Sequence, residues 1–392
     1  DGTNTAYVEE MTITITDAGI SITANSANLA ENAADGDTVL TMASTGDSAD
    51  GDGWSISAGN DDGNFAIASG TGVVTVATDA ALDFETEDTY TLTIAISDGT
   101  TEVTEDVTIT ITDVNDNSPS FSDGETASAS VDENTQTVGT YAATDADADA
   151  TITYTVSGGT DSDLFSVNSG TGALTFSSAP NFEAPGCGAS DDSNTCTVIL
   201  TASDTTNTDT ITITVTVVDV NDAPTVSSEI SDATIDEDSA YSLDVSGNFA
   251  DADSDTLTFT ASGLPSSGNL AMSGAGTLSG TPLQADIGSY TVVVTATDDG
   301  TGTLTVTDTF TLTISNVNDA PSASAGSDQT PTEGDTVTLD ASGSSDEDSD
   351  SLSYAWSQDS GTTMSLSDAS AASPTFTAPQ ATSEYTLVFT VT

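Results

Sequence analysis

Residues 107–117 read V-T-I-T-I-T-D-V-N-D-N, six residues in strict alternation of apolar side chains with Thr, followed by an acidic linker. Alternation with period two puts one apolar and one polar face on an extended chain, which is what a half-buried strand requires. The unit recurs as T-I-T-I-T-V-T-V from Thr210 and F-T-L-T-I from Phe310. These strands run into D-V-N-D-A-P at 219–224 and N-V-N-D-A-P at 316–321. Upstream of each lies another strand: Y-T-L-T-I-A-I-S-D at 90–98, T-V-I-L-T-A-S-D at 197–204 and Y-T-V-V-V-T-A-T-D at 290–298. Earlier still, F-A-I-A-S-G-T-G-V from Phe65 and F-S-V-N-S-G-T-G-A from Phe165 read as hairpins whose glycines supply the positive-φ turn. With no long amphipathic helix anywhere, the repeats predict an all-β chain of tandem β-sandwiches, beads on a string.

The two ends fit the same pattern when placed together. Residues 385–392 read Y-T-L-V-F-T-V-T and stop one residue short of the expected Asp. Residues 1–3, D-G-T, match D-G-T at 98–100, and M-T-I-T-I-T-D at 11–17 is the missing alternating strand. Residues 1–19 and 320–392 are therefore expected to be two parts of one domain. They would be joined either along a longer repeating polypeptide or by strand exchange between subunits.

The chain has 392 residues with 64 Asp and Glu, no Lys, Arg or His, and a formal net charge of -64. A chain of this length ordinarily carries roughly forty Lys and Arg. Acidic chains can be disordered, but here 35% of residues are hydrophobic and set in regular alternation, which argues for folding. Without basic residues no internal salt bridge can form and phosphate neutralisation has no donor, which excludes nucleic acid as a partner. Catalysis is excluded on similar grounds: only paired carboxylates remain, and they fall at linkers rather than in a cleft. No apolar run is long enough to predict a membrane span. The available countercharges are ions, and carboxylate and carbonyl oxygens suit a hard cation such as Ca²⁺, although a solvated acidic surface fits the composition too. Cys187 and Cys196 lie in one Gly/Ser/Asp-rich stretch, which suggests a local disulfide and an oxidising compartment. A reduced adjacent pair stays open, while zinc lacks His and a second cysteine pair.

Residues 20–117 resemble a cadherin domain, on A-E-N-A at 30–33, L-D-F-E at 82–85 and D-V-N-D-N at 113–117. Residues 118–222 resemble a second, on D-E-N at 132–134, D-A-D at 145–147, N-F-E at 181–183, A-S-D at 202–204 and D-V-N-D at 219–222. Residues 223–319 are similar to the dystroglycan-type cadherin-like or Ig-like modules of large bacterial surface proteins. They carry D-E-D at 236–238, F-A-D-A-D at 249–253 and G-T-L-S-G-T-P at 276–282. The split domain is similar to a PKD-like module, on A-G-S-D-Q-T from Ala325, V-T-L-D-A-S-G-S-S-D from Val337 and Y-A-W at 354–356. The resemblance implies immunoglobulin-like sandwiches that bind Ca²⁺ between domains.

It also assigns ligands. The first junction would use Glu31, Asp83 and Glu85, then Asp113, Asn115, Asp116 and Asn117 of the linker, then Asp145, Asp147 and Asp204. The second would use Glu133, Glu183, Asp219, Asn221 and Asp222 with Asp251, Asp253 and Asp298; Asn181 and Ala223 depart from the pattern there. The third has Glu237, Asn318 and Asp319 facing Asp346 and Asp348, with Asn316 in place of the leading Asp. The fourth, D-A-G-I at 17–20, has lost Asn-Asp altogether. The expected function is structural: a calcium-stiffened extracellular filament or adhesin stalk at a bacterial cell surface, its partners being further copies of itself. The alternative is a carbohydrate- or cell-binding region whose aromatic platform would draw on Trp54, Trp356 and Tyr354.

Overall fold

The alternation at 107–112 is realised as a strand, Glu102–Thr112, that buries Val107, Ile109 and Ile111 while its threonines face water. The computed structural model describes residues 9–14, 19–23, 25–46, 53–99, 101–190 and 192–392. The chain divides into two compact units, Asp1–Val220 and Asn221–Thr392.

The first unit holds two sandwiches of one design. In the first, a four-stranded sheet runs Ser26–Ala30, Glu102–Thr112, Thr89–Ser97, Gly53–Ala58, facing a three-stranded sheet of Thr38–Thr41, Val73–Val76 and Phe65–Ile67. In the second the order is Thr126–Asp132, Thr208–Val218, Thr195–Ser203, Thr153–Gly158, against Thr137–Thr140, Ala173–Phe176 and Phe165–Val167. The first strand of each four-stranded sheet lies parallel to the last, a pairing that local periodicity does not encode. Both expected hairpins form, with Phe65–Ile67 against Val73–Val76 and Phe165–Val167 against Ala173–Phe176.

The second unit repeats the design once more. Ala233–Asp236, Thr305–Ser315, Gly288–Thr297 and Thr258–Ser262 form its four-stranded sheet, and Tyr241–Asp244, Thr277–Gly280 and Leu270–Met272 its three-stranded one. The rest is sparser: Thr336–Thr338 pairs with Thr375–Thr377, and Trp356–Ser360 with Val388–Val391. Its buried apolar residues fall into two small groups, Val337 with Phe376 and Ala378, and Ala341 with Trp356 and Val391.

A glycine at one place ties the four segments together. Gly59, Gly159, Gly263 and Gly361 all have positive φ just after the edge strand. A Cβ there would collide with the carbonyl of Thr91, Thr197, Thr291 and Thr386, respectively. Each glycine lets the chain turn away after the edge strand while its backbone stays against the neighbouring strand.

Residues 9–14, most of the strand expected from the chain's start, form no strand, and Met11 and Ile13 are 83% and 75% exposed. Asp1, Gly2, Thr3 and Asp17, on which the match between the ends also rested, lie outside the described residues. Trp54, weighed as an open aromatic platform, is buried at 7% exposure because its indole packs in the first sandwich core beside Gly72. Trp356 is equally buried, and its indole N–H donates to Ala371 O at 3.2 Å.

Cys187 and Cys196 form a disulfide, with both residues buried. Asp161, 6% exposed, accepts from Gly188 N at 2.6 Å and Thr197 N at 2.7 Å, so one carboxylate ties the residues that follow each cysteine. Reduction should lower stability by about 2–3 kcal/mol, the value for so short a loop in the chain-entropy model. Urea unfolding with and without reductant measures it; coincident curves would show that the hydrogen bonds of Asp161 suffice.

Candidate metal centre

The linker that follows Glu102–Thr112 passes over the top of the first sandwich, and one buried glutamate holds it there. Glu31 accepts from Val114 N and from Phe84 N, each at 2.7 Å. The same device recurs: Glu133 accepts from Val220 N at 3.0 Å and Phe182 N at 2.9 Å, and Glu237 from Val317 N at 3.0 Å. The middle residue of each D-V-N or N-V-N linker is thus pinned by the glutamate of A-E-N, D-E-N or D-E-D. At Glu237 no second backbone donor appears among the described residues; Gln284 stands at the place of Phe84 and Phe182, since Asp238 N donates to Pro282 O as Asn134 N donates to Pro180 O. The Oε2 of Glu237 accepts no hydrogen bond from the described residues, although the residue is 1% exposed.

Around the first linker the acids converge. Glu31, Glu85 and Asp116 each bring a carboxylate oxygen within 4.8 Å of one another; so do Glu85, Asp113 and Asp147, and so do Asp145, Asp147 and Asp204. Oxygens bound to one Ca²⁺ at 2.3–2.6 Å lie at most about 5 Å apart, so each group matches a single coordination sphere. The linker is docked onto the second sandwich by Asp147, which accepts from Asn117 N at 3.1 Å and Asn117 Nδ2 at 3.0 Å. Asp113 accepts from Ala148 N at 2.8 Å, and Asn207 Nδ2 donates to Asn117 O at 2.7 Å.

These bonds leave oxygens over. Asp113 Oδ1, Asn115 Oδ1, Asp145 Oδ2 and Asp204 Oδ2 are buried and accept no hydrogen bond from the described residues. Asp204 is 2% exposed, and its other oxygen takes Thr206 N and Asn207 N at 2.7 and 2.6 Å. A buried carboxylate oxygen with no partner is costly, and the chain has no basic side chain to supply one. The orphaned atoms are all hard oxygens, four of them around one linker, which fits Ca²⁺ in donor type and number.

Titration behaviour follows from the crowding. Desolvation first, then the charges of Glu31, Asp147, Asp83 and Asp113, hold the Asp116 carboxyl above the usual range. Desolvation likewise raises Asp145, helped by Asp147 and Asp204 and opposed by the hydrogen bond from Asp147 N. Glu85 is raised by desolvation and by Glu31 and Asp113, against its own backbone hydrogen bond.

Of the residues expected at the first junction, Asp83 also holds a turn. Its oxygens accept from Thr86 N at 3.1 Å and Thr86 Oγ1 at 2.8 Å, so it caps a turn. Asn181, the departure noted in the next repeat, makes the matching cap with Ala184 N at 2.5 Å.

The residues expected at the second junction are divided between the two units. In the first unit, Glu133, Glu183 and Asp219 bring carboxylate oxygens within 4.8 Å of one another. In the second unit, Asp253 accepts from Asp222 N at 2.6 Å, and Asp298 accepts from Asn221 Nδ2 at 3.2 Å and Leu304 N at 3.0 Å. Asp251, Asp253 and Asp255 form a further carboxylate group there, in which Asp251 Oδ2 and Asp253 Oδ1 are buried without a hydrogen bond from the described residues. Asp255 was not among the expected residues. Its signal is the third acid of D-A-D-S-D at 251–255, and desolvation with Asp251, Asp299, Asp253 and Asp298 raises its carboxyl.

At the third junction Asp348 accepts from Asp319 N at 2.5 Å, and Asp346 accepts from Asp348 N at 3.0 Å. Gln284, unforeseen, donates to Glu347 O at 3.2 Å. Asn318 is exposed and donates only to Asp319 O among the described residues, at 3.0 Å. Residues 17 and 18 of the fourth junction lie outside the described residues.

Comparison with known proteins places three families along the chain. Residues 25–112 match the cadherin domain, residues 223–315 the putative Ig domain, and residues 325–392 a PKD domain. Among solved structures, mouse cadherin-23 EC22-24 is 21% identical, covering 77% of this chain and 100% of that one at a TM-score of 0.45. The human desmocollin-1 ectodomain is 18% identical over 94% of this chain and 75% of that one, with a TM-score of 0.44. Protocadherin gamma B2 extracellular cadherin domains 3-6 give 20% identity, 77% and 78% coverage and a TM-score of 0.46. No curated protein matches the chain. Cadherin, Ig-like and PKD-like domains thus stand in tandem in one all-β chain.

Proposed function

We propose that this chain is a load-bearing segment of an extracellular filament or adhesin stalk, in which Ca²⁺ held at the linkers stiffens successive domains. The domains are 20–117, 118–222 and 223–319, with 320–392 completed by a strand of the 1–19 type. Cadherin-like tandem repeats are typical of adhesion and extracellular structural ectodomains. The observation that carries the reading is the set of four buried oxygens at the first linker that take no hydrogen bond from the described residues, in a chain without a single basic side chain. Glu31, Glu85, Asp113, Asn115, Asp116, Asp145, Asp147 and Asp204 would hold the ions there. Bound Ca²⁺ supplies positive charge and six to eight coordination positions that crosslink linker and sandwiches. The protein's own part is to present the oxygens: Glu31 pins the linker to one sandwich and Asp147 pins it to the next.

The graded pattern expected from the motifs persists as part of this proposal, with the first junction the firmest. An extracellular place is supported by the Cys187–Cys196 disulfide, which persists in oxidising surroundings. Recognition of sugars by the two tryptophans is not favoured, since both are buried. Small-angle scattering on the full chain tests the reading. With Ca²⁺ the maximum dimension should be longer and the Kratky plot that of a stiff particle, and chelator should shorten and loosen it. Superimposable curves would overturn the calcium-stiffening proposal.

A further inference from the structure

The second sandwich carries an insertion that the first lacks, and it begins at a glutamate of the metal group. In the first sandwich Asp88 O accepts from Ile111 N at 2.8 Å, and in the second Asn194 O accepts from Val217 N at 2.8 Å. Asp88 and Asn194 therefore hold one place, just before the equivalent strands Thr89–Ser97 and Thr195–Ser203. Two residues separate Glu85 from Asp88, whereas ten separate Glu183 from Asn194. Glu183 has a carboxylate oxygen within 4.8 Å of those of Glu133 and Asp219. A ligand at the root of a longer loop is held less firmly, because ordering the added residues costs conformational entropy.

Three features counter that loss. Asn194 Nδ2 donates to Phe182 O at 2.9 Å, across the mouth of the insertion. An ionised Asp, as at position 88, has no donor with which to make this bond. Phe182 N donates to Glu133 Oε2 at 2.9 Å, so the residue before Glu183 is held at both its N–H and its carbonyl. Inside the insertion, Cys187 and Ser193 exchange two backbone hydrogen bonds of 3.1 and 3.0 Å. The Cys187–Cys196 disulfide then closes the loop, four residues after Glu183 and two after Asn194.

We infer that the disulfide and Asn194 together position Glu183 for Ca²⁺, so that calcium affinity at this group depends on the oxidation state of Cys187 and Cys196. The inference rests on the calcium reading of the linkers proposed above. Asn194 is a positioning residue, since it touches Phe182 and not the ion. A dithiol reductant supplies two electrons and two protons; the Sγ–Sγ bond breaks, two thiols form and the reductant closes to its own disulfide. The insertion is then tied by hydrogen bonds alone, and Glu183 spends part of its time away from Glu133 and Asp219. Linkage makes the effect reciprocal: the factor by which reduction weakens calcium binding is the factor by which calcium opposes reduction.

Calcium isotherms of the full chain, measured by equilibrium dialysis in the oxidised and the reduced form, test the coupling. Circular dichroism first establishes a temperature at which both forms are folded. Reduction should weaken one class of sites by about tenfold and leave the others unchanged. In Glu183→Gln the effect of reduction should shrink to within about twofold, because the group it acts through is gone. Asn194→Ala with the disulfide intact should weaken the same class by about threefold, the loss of one hydrogen bond. In a dithiol redox buffer, saturating calcium should lower the reduction potential of Cys187–Cys196 by about 30 mV, the equivalent of that tenfold change. Isotherms that coincide before and after reduction would overturn the inference, and so would a tenfold loss that persists in Glu183→Gln. If the reduced chain unfolds, Asn194→Ala carries the test alone, and an unchanged isotherm there overturns it. An oxidised chain that takes up no calcium at all would instead sink the calcium reading on which the inference rests.

Discussion

Chelating calcium from the full chain should lower the melting temperature of its first unit by about 15–30 °C. The estimate rests on the three carboxylate groups around the first linker, each matching one coordination sphere. A ligand at a hundredfold excess over its dissociation constant stabilises the folded state by about 2.7 kcal/mol per site, hence about 8 kcal/mol for three. For a unit of this size, 1 kcal/mol moves the midpoint by about 2–4 °C. Calorimetry in calcium, in magnesium and in chelator makes the comparison. Magnesium demands near-ideal octahedral geometry and parts with its water reluctantly, so it should restore only a small share. If melts in calcium and in chelator coincide, the orphaned oxygens of Asp113, Asn115, Asp145 and Asp204 are not ion ligands.

Glu31→Ala should destabilise the first unit by about 3–5 kcal/mol even in chelator, because it strands two backbone N–H groups. Hydrogen bonds to a charged acceptor are worth about 1.5–3 kcal/mol each. Both of those at Glu31 are short, and the residue is 7% exposed. Some of the loss is offset in chelator, since Glu31 crowds Glu85 and Asp116. Glu31→Gln keeps one oxygen acceptor and should cost roughly half as much. Urea unfolding of the three proteins without calcium isolates the staple from the ion. A cost below about 1 kcal/mol for Glu31→Ala would mean that water replaces the carboxylate and the staple is incidental.

The missing second bond at Glu237 gives these two roles a natural contrast. Its Oε2 is buried without a hydrogen bond from the described residues, whereas both oxygens of Glu31 are engaged by backbone. Phe84 N and Phe182 N supply the second bond in the first two sandwiches; Gln284 stands at their place in the third, where Glu237 Oε2 takes no bond from the described residues.

Sequence alone determined the strands and the linkers. Alternation of Val or Ile with Thr over residues 107–112 is a local signal, since successive side chains of a strand must face opposite ways, and that strand formed where the period ran, whereas the same alternation at 11–14 formed none. The oxygen-rich linkers were legible for the same reason: Asp and Asn in D-V-N-D-N offer hard donors whatever surrounds them. Tertiary structure decided which of those oxygens are left without a hydrogen bond. Asp83 turns both of its oxygens to Thr86, Asp204 keeps one without a hydrogen bond from the described residues, and Asp255 gathers with Asp251 and Asp253. It also decided that Trp54 is core and that the first strand of each sheet lies parallel to the last. The last two outcomes depend on contacts between residues far apart in the chain, and a period of two carries no information about the partner across the sheet.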